Sequence, residues 1–241
     1  MKIVSHNVFW FQGAPFRPPQ PGPPEAAILS ALLTMYREMA PDLLCLQEIQ
    51  SEEAFEQVAG ALGMSGAYRR GHGLPQYGGA VLWKGGRLAL DSRAAAQPVE
   101  RAWQIAGAPL ADRGTLRVAN VHLPSGRYLG AEAAARRRCE EMAGVLDCGE
   151  PHVVLGDFNE NPGGGVSEVL RDRGYADAAE IAGETAALTT GGGSRLDQAW
   201  VANAMQSRLA GYGVVAEGAM RTNLPGKSHL SDHFPVWVEI A

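Results

Sequence analysis

Apolar residues fall along this chain in two kinds of run. In one they are nearly continuous, as in "DLLCLQEI" (42–49) and "HVVLG" (152–156). Short runs of that density predict strands buried on both faces. In the other, apolar positions recur every three or four residues, as in "EAAILSALLTMYREM" (25–39) and "SEEAFEQVAGALG" (51–63). That period predicts helices with one buried face. The first stops near Pro41; the second starts from Ser51 and closes at Gly63.

Further strands are expected over 2–8, Ala67–Arg70, Gly79–Trp83, Pro98–Ile105, Thr115–Leu123, Leu196–Ala202, near Gly213–Ala216 and over Phe234–Ile240. Two more helices are expected at about 130–146 and 163–172. Ala14–Pro24 is too proline-dense for helix or central strand and reads as a loop. Helices separate some strands and hairpin-like runs separate others. That mixture predicts stacked sheets with helices outside. No repeat or long linker divides residues 1–241, so one domain is expected.

Composition refines this picture little. Of the 241 residues, 46% are hydrophobic and 20% charged, which suits a globular chain with a sizeable core. No window is apolar enough for a membrane span, and "MKIVSHNVFW" lacks a secretory h-region, so a cytoplasmic location is expected. The three cysteines, Cys45, Cys139 and Cys148, have no CxxC spacing and require no disulfide. Net charge is −5, and the densest basic cluster, Arg136–Arg138, reads as a solvated helix face. A broad groove for a nucleic-acid backbone is therefore not expected.

Charge placement matters more than charge total. Several strand patterns end or begin in polar residues that a plain core does not require: Asn7, Gln47-Glu48, His122, Asp157 with Asn159, Asp197, and Asp232-His233. Active sites gather at such strand ends. Each residue also has an ordinary reading. Asn7 suits a turn, Glu48 a helix N-terminus, His122 a satisfied core position. Asp157 and Asn159 suit an Asx turn, and Asp197 a surface ion pair with Arg195.

Taken in order, Asn7, "QE" at 47–48, "NVHLPSG", "GDFNENP", "RLD" and "SDHFPV" resemble the endonuclease/exonuclease/phosphatase superfamily, from residue 3 to residue 238. "GDFN" and "SDHFPV" are its specific parts. The resemblance implies an α+β fold: a four-layer α/β/β/α sandwich of two packed, mostly antiparallel sheets flanked by helices. It also implies divalent-metal-dependent cleavage of a phosphate ester.

Such hydrolysis must neutralise phosphoryl charge, activate a water and stabilise the leaving oxygen. Hard oxygen ligands suit Mg²⁺ (or Mn²⁺). Glu48 is the leading candidate ligand, Asn7 adds a neutral oxygen, and the resemblance places Asp232 on the metal side. Asp157 is the candidate that orients and activates water. Asn159, His122 and His233 are candidate donors to the phosphate. The resemblance assigns Asp197 to hold His233. His6 departs from the aromatic residue many relatives carry before this Asn, and a structural role is expected for it.

Substrate identity is less legible. The loop Phe9–Pro24, with Trp10, Phe11, Phe16 and Arg17, reads equally as a cleft wall or a stiff surface connection. Arg127 is the leading extra phosphate contact, with Arg69 and Arg70 next, and Gly191–Gly193 suggests a flexible lip. The expected activity is that of a Mg²⁺-dependent phosphohydrolase, more specifically a phosphodiesterase, acting as a monomer on a phosphate-ester substrate. The alternatives are an endo- or exonuclease acting on DNA or RNA, and a catalytically silent binding domain on the same scaffold.

Overall fold

The computed structural model describes residues 1–15, 21–86, 88–91, 99–110 and 114–241. Their strands form two six-stranded sheets. The first contains β1 (Lys2–Asn7), β2 (Leu43–Ile49), β3 (Ser65–Arg69), β4 (Gly78–Trp83), β11 (Leu209–Val214) and β12 (Val236–Ile240), in the order β11-β12-β1-β2-β4-β3. The second contains β5 (Ala89–Leu90), β6 (Trp103–Pro109), β7 (Thr115–His122), β8 (Val153–Asp157), β9 (Tyr175–Asp177) and β10 (Asp197–Ala202), in the order β5-β6-β7-β8-β10-β9. Each sheet has one parallel pair, β1–β2 and β7–β8. The other pairings are antiparallel. A parallel pair needs a crossover. Helix α1 (Ala26–Met39) supplies the first; α3 (Gly126–Leu129) and α4 (Ala131–Gly149) supply the second.

Alternation along the strands explains the continuous apolar runs. Ile3, Leu43, Cys45 and Val81 face Val118, Val153, Leu155 and Ala199 between the sheets. Their neighbours Val4, Leu44, Leu46 and Leu82 face outward, onto Ile28, Leu32 and Tyr36 of α1 and Val58 of α2 (Glu52–Leu62). On the far side Val121, Val154 and Trp200 pack on Met142 and Val145 of α4 and on Val166 and Leu170 of α5 (Gly165–Asp172). The four layers are therefore helix, sheet, sheet, helix. Two short helices, α6 (Ala178–Ala182) and α7 (Glu217–Met220), lie in later connections.

Four expectations need correction. The strand expected over Pro98–Ile105 starts at Trp103 and runs to Pro109; Pro98 lies outside the described residues. The strand placed near Gly213–Ala216 is β11, ending at Val214. The last strand starts at Val236, two residues beyond Phe234. Arg136–Arg138 is not a solvated face throughout. Arg138 is buried and bonds the carbonyl of Pro124 (3.1 Å) and the Glu160 carboxylate (3.2 Å). It ties the loop after β7 to the loop after β8, the two loops that follow His122 and Asp157.

Candidate active site

Strand register assembles the site. β7, β8 and β10 align His122 with Asp157 and Asp157 with Asp197, side by side at one end of the second sheet. The close approach of β7 and β8 depends on Gly156. Its φ is +145°, and a Cβ there would lie 1.9 Å from the Val121 carbonyl oxygen, so no other residue fits. In the first sheet Asn7 aligns with Gln47. Glu48 follows at an irregularity where β2 slips against β4, with a left-handed φ of 58°. That backbone costs a non-glycine residue about 1–2 kcal/mol. The bulge re-aims its carboxylate, a use bulges often serve beside active sites.

Polar side chains lock the two sheets together at this end. Gln47 Nε2 donates to Ser5 Oγ (3.0 Å) and to Asn120 Oδ1 (2.6 Å). Asn120 Nδ2 donates to the carbonyls of Leu46 (3.1 Å) and Ala80 (3.0 Å) in the opposite sheet. The separation of the two rows of site residues is thereby fixed by hydrogen bonds rather than by apolar contact alone.

Asp157 lies at the centre. Its Oδ2 accepts from Asn7 Nδ2 (3.0 Å), its Oδ1 from the Asn159 amide (2.8 Å). Nε2 of His122 and of His233 lie 3.3 and 3.8 Å from Oδ2. His233 Nδ1 meets Asp197 Oδ2 at 2.8 Å, so the Arg195 partner considered for Asp197 is not the one found; Arg195 pairs with Asp177. Burial opposes a charge on His233, but Asp197, Asp157 and Asp232 outweigh it and hold the imidazole well above its ordinary value. Burial likewise opposes ionised Asp157, yet His233, His122 and Arg101 hold it well below the usual carboxylate range. Burial pushes Asp197 up to about 6, with His233 pulling it back. At neutral pH the three form a buried chain of alternating charge.

Two further carboxylates, like Asp197 at Oδ1, keep a buried oxygen that no protein group meets. Burial raises Glu48 to about 7; Arg101 pulls it down and Asp232 pushes it up. Burial also raises Asp232, against His233. Glu48 Oε2 and Asp232 Oδ1 are buried and have no protein partner. The charge of Asp232 acts on Glu48, and two such unmet carboxylate oxygens are hard donors of the kind that could hold a divalent cation. A second grouping, Glu48, His122 and Asp157, has ligand atoms within 4.8 Å of one another. Its histidine nitrogen, Nε2, touches the Arg101 guanidinium, so a cation there would face another cation. Glu48 belongs to both groupings; Arg101 acts on it as well, and Asn7 beside it accepts from the Phe9 amide (3.1 Å).

Arg101 is the residue the sequence did not reveal. It stands in "VERAWQ", where no spacing marks it. It is 3% exposed, donates to Ser125 Oγ (2.8 Å), contacts His122 Nε2 and lies over the Tyr77 ring (4.4 Å). Its Nε forms an ion pair with the Glu100 carboxylate (3.6 Å). Burial and this cation push His122 down to about 4, so the imidazole is neutral. Asn120 is also a site residue with a mark in the sequence: it shares an inward face with Val118 and His122, and a polar residue on a buried face needs a partner.

The remaining candidates divide. Asn159 sits in a left-handed turn (φ 49°), and the Asx turn considered for it is present; its Nδ2 donates to the Leu123 carbonyl (3.0 Å). Arg127 is exposed on α3, and its charge acts on Asp232. Arg69 is committed elsewhere, donating to the Trp103 carbonyl (2.7 Å) and lying over that ring. Gly191–Gly193 is not a free lip, since the Gly191 amide donates to the Asp232 carbonyl (3.0 Å). Phe9, Trp10 and Phe11 all have positive φ. Burial of Trp10 and Phe11 offsets that strain. Trp10 packs on Tyr77, whose edge meets His122, so this turn does wall the site. Phe16 and Arg17 lie outside the described residues.

The sequence pattern of the Endonuclease/Exonuclease/phosphatase family matches residues 4–233, and the chain belongs to that family. Its fold is shared with solved structures of low sequence identity. The human Nocturnin catalytic domain with bound sulfate is 16% identical, with a TM-score of 0.70 over 100% of this chain and 93% of that one. A variant of the 3′ phosphatase NExo from Neisseria, bound to a product DNA hairpin, is 21% identical, with a TM-score of 0.70 over 100% and 99%. TDP2 of D. rerio, complexed with a single-strand DNA product, is 15% identical, with a TM-score of 0.70 over 100% and 98%. No curated protein matches the sequence. Among the described residues no helix is long and apolar enough to cross a membrane.

Proposed function

We propose that this chain is a divalent-metal-dependent phosphohydrolase, acting on phosphodiesters. The observation that carries this reading is the pairing of a closed charge chain, Asp157–His233–Asp197, with two orphaned carboxylates, Glu48 and Asp232. Glu48 and Asp232, with Asn7, are the residues that would hold Mg²⁺ or Mn²⁺; the ion would supply Lewis-acid stabilisation of phosphoryl charge.

The other roles belong to the chain itself. His233, held as a cation by Asp197, presents Nε2–H toward the phosphate. Arg101, a buried guanidinium paired with Glu100 (3.6 Å) and bonded to Ser125, places a fixed positive charge beside His122 and Asp157, where it adds to the stabilisation of phosphoryl charge. Asn159 keeps a second amide hydrogen for the same purpose. Asp157 is held too far below its ordinary range to be a strong base at rest. It accepts a hydrogen bond from the attacking water, fixes its line of approach, and takes its proton only as the new P–O bond forms.

Turnover of bis(p-nitrophenyl) phosphate and of a panel of nucleic-acid, phosphomonoester and lipid substrates tests this, with EDTA and with added Mg²⁺ or Mn²⁺. Activity lost in EDTA and restored by metal is expected; undiminished activity in EDTA would overturn it. A nuclease is the second reading. Arg127 and half-exposed Tyr128 beside the site suit a short nucleic-acid end, and preference for oligonucleotides over small diesters would select it.

A further inference from the structure

β1 and β12 pair from Lys2↔Glu239 to Ser5↔Val236, and their ladder stops where Pro235 offers no amide. Residues 231–234 must nevertheless be held against the end of β1, because they carry Asp232 and His233 into the site. Side chains and a neighbouring loop replace the missing ladder. Ser231 Oγ donates to the Asn7 carbonyl (2.7 Å) and accepts from the His233 amide (3.2 Å). The Phe234 amide donates to the Thr189 carbonyl (2.7 Å). The His233 carbonyl is met by Nε2 of His6 at 3.2 Å.

His6 is fully buried on the outward face of β1, beneath α1, where Val4 and Leu44 mark an apolar layer. Its Nδ1 lies 2.6 Å from the Tyr36 hydroxyl, and Tyr36 is fully buried as well. A backbone carbonyl can only accept, so Nε2 must carry the hydrogen. The ring is fully buried and neither of its two partners is an anion, so the neutral form fits both contacts. A neutral ring with hydrogen on Nε2 leaves Nδ1 to accept from Tyr36 O–H. Both groups are satisfied in one tautomer only.

We propose that His6 is a positioning residue for His233: as the Nε2–H tautomer, with Nδ1 satisfied by Tyr36, it fixes the His233 carbonyl and so the placement of the His233 ring between Asp197 and Asp157. The ring is held from one end by Asp197 and the backbone from the other by His6. This rests on the phosphohydrolase reading for its kinetic consequence, though not for the tautomer. His6 does not touch the reacting atoms. Its effect is on geometry, and displacement of a site group by about 1 Å can cost on the order of 10²-fold in rate.

Two measurements test it. In metal-free wild-type protein, ¹⁵N NMR of the imidazoles should show His6 neutral and protonated on Nε2; an Nδ1–H ring would overturn the proposal without reference to activity. The second is a set of variants assayed on a phosphodiester with Mg²⁺. His6→Phe keeps the bulk and loses the donor, and should lower kcat about 10- to 100-fold with KM little changed. His6→Gln, whose amide N–H can reach the same carbonyl, should recover most of kcat. Tyr36→Phe leaves that donor in place and should lower melting temperature while changing kcat no more than about threefold. Equal losses of kcat in His6→Phe, His6→Gln and Tyr36→Phe, tracking stability, would reduce His6 to a core residue and overturn the proposal. If His6→Phe does not fold, the tautomer and the contrast between His6→Gln and Tyr36→Phe still decide. An inactive wild-type protein would count against the phosphohydrolase reading and leave the NMR result to judge His6.

Discussion

The two sheets contribute opposite kinds of chemistry to one site. The second sheet brings Asp157 and Asp197, which find their charge partners within the protein, chiefly His233. The first sheet brings Glu48, and the corner before β12 brings Asp232; each keeps a buried oxygen with no partner. The same burial that raises both of these carboxylates is overcome at Asp157 by surrounding positive charge. In the second sheet the carboxylates share the imidazole of His233, although Asp197 is raised by burial too and keeps its own unmet Oδ1; Glu48 and Asp232 have no such shared imidazole at hydrogen-bond distance. An unpartnered buried carboxylate costs several kcal/mol, so Glu48 and Asp232 are where the proposed cation would relieve the most strain.

The second sheet is the place for the largest effect. Asp157→Asn retains an oxygen for the Asn159 amide but loses the carboxylate charge. It should lower kcat by about 10²- to 10⁴-fold, the range of a general-base group, with circular dichroism unchanged. A loss under about tenfold would mean that Asp157 only holds the loops together. Next comes the His233–Asp197 pair. His233→Ala and Asp197→Asn should each lower kcat/KM by roughly 10²-fold, and the double variant should be little worse than His233→Ala alone. Losses that multiply would show that the two act separately.

The first sheet predicts a gain. Glu48 has an ordinary value of 4.5 and a folded value of about 7. Folding thus takes up a proton between those values, so stability falls as pH rises from about 4.5 through 7 and stays lowered above it. The cost above that range is on the order of 1–3 kcal/mol. In EDTA at about pH 8, Glu48→Gln should melt higher than wild type, at about 2–4 °C per kcal/mol. The gap should close at about pH 5, and also when Mg²⁺ is given to wild type at the higher pH. A lower melting temperature for Glu48→Gln in EDTA at the higher pH would show that Glu48 is not strained.

What could be read beforehand follows from this contrast. Strand ends rich in acids and imidazoles are visible because polar residues interrupt apolar runs, and all the residues so marked do reach one end of the sandwich. Layering was legible for the same reason, since "LLCL" alternates between two cores. Arg101 was not, because a single arginine before a strand differs in no way from a surface one until the fold buries it. The bulge at Glu48 leaves no mark in "LQEI" either; it depends on pairing with β4, which lies well downstream in the chain. Arg69 failed in the opposite sense: a cation beside an expected cleft strand, it bonds Trp103 instead.

The smallest expected effect separates Arg127 from Arg69. Arg127 is exposed and its charge acts on Asp232, so a substrate phosphate meets it at little desolvation cost. Arg127→Ala should raise KM about tenfold, the worth of one charged hydrogen bond, and change kcat less. Arg69→Ala should leave KM unchanged within about threefold and lower melting temperature, because its bond and its stacking are internal. Salt sharpens the distinction. Each duplex phosphate neutralised contributes a slope near about −0.9 in log affinity against log salt. With Arg127 the exposed cation that acts on the site among the described residues, that slope should be shallow for an oligonucleotide between about 50 and 200 mM salt. It should flatten by about one further unit in Arg127→Ala and not in Arg69→Ala. A steep slope in wild type, unchanged by Arg127→Ala, would place the phosphate contacts elsewhere and favour a nuclease that tracks a long backbone.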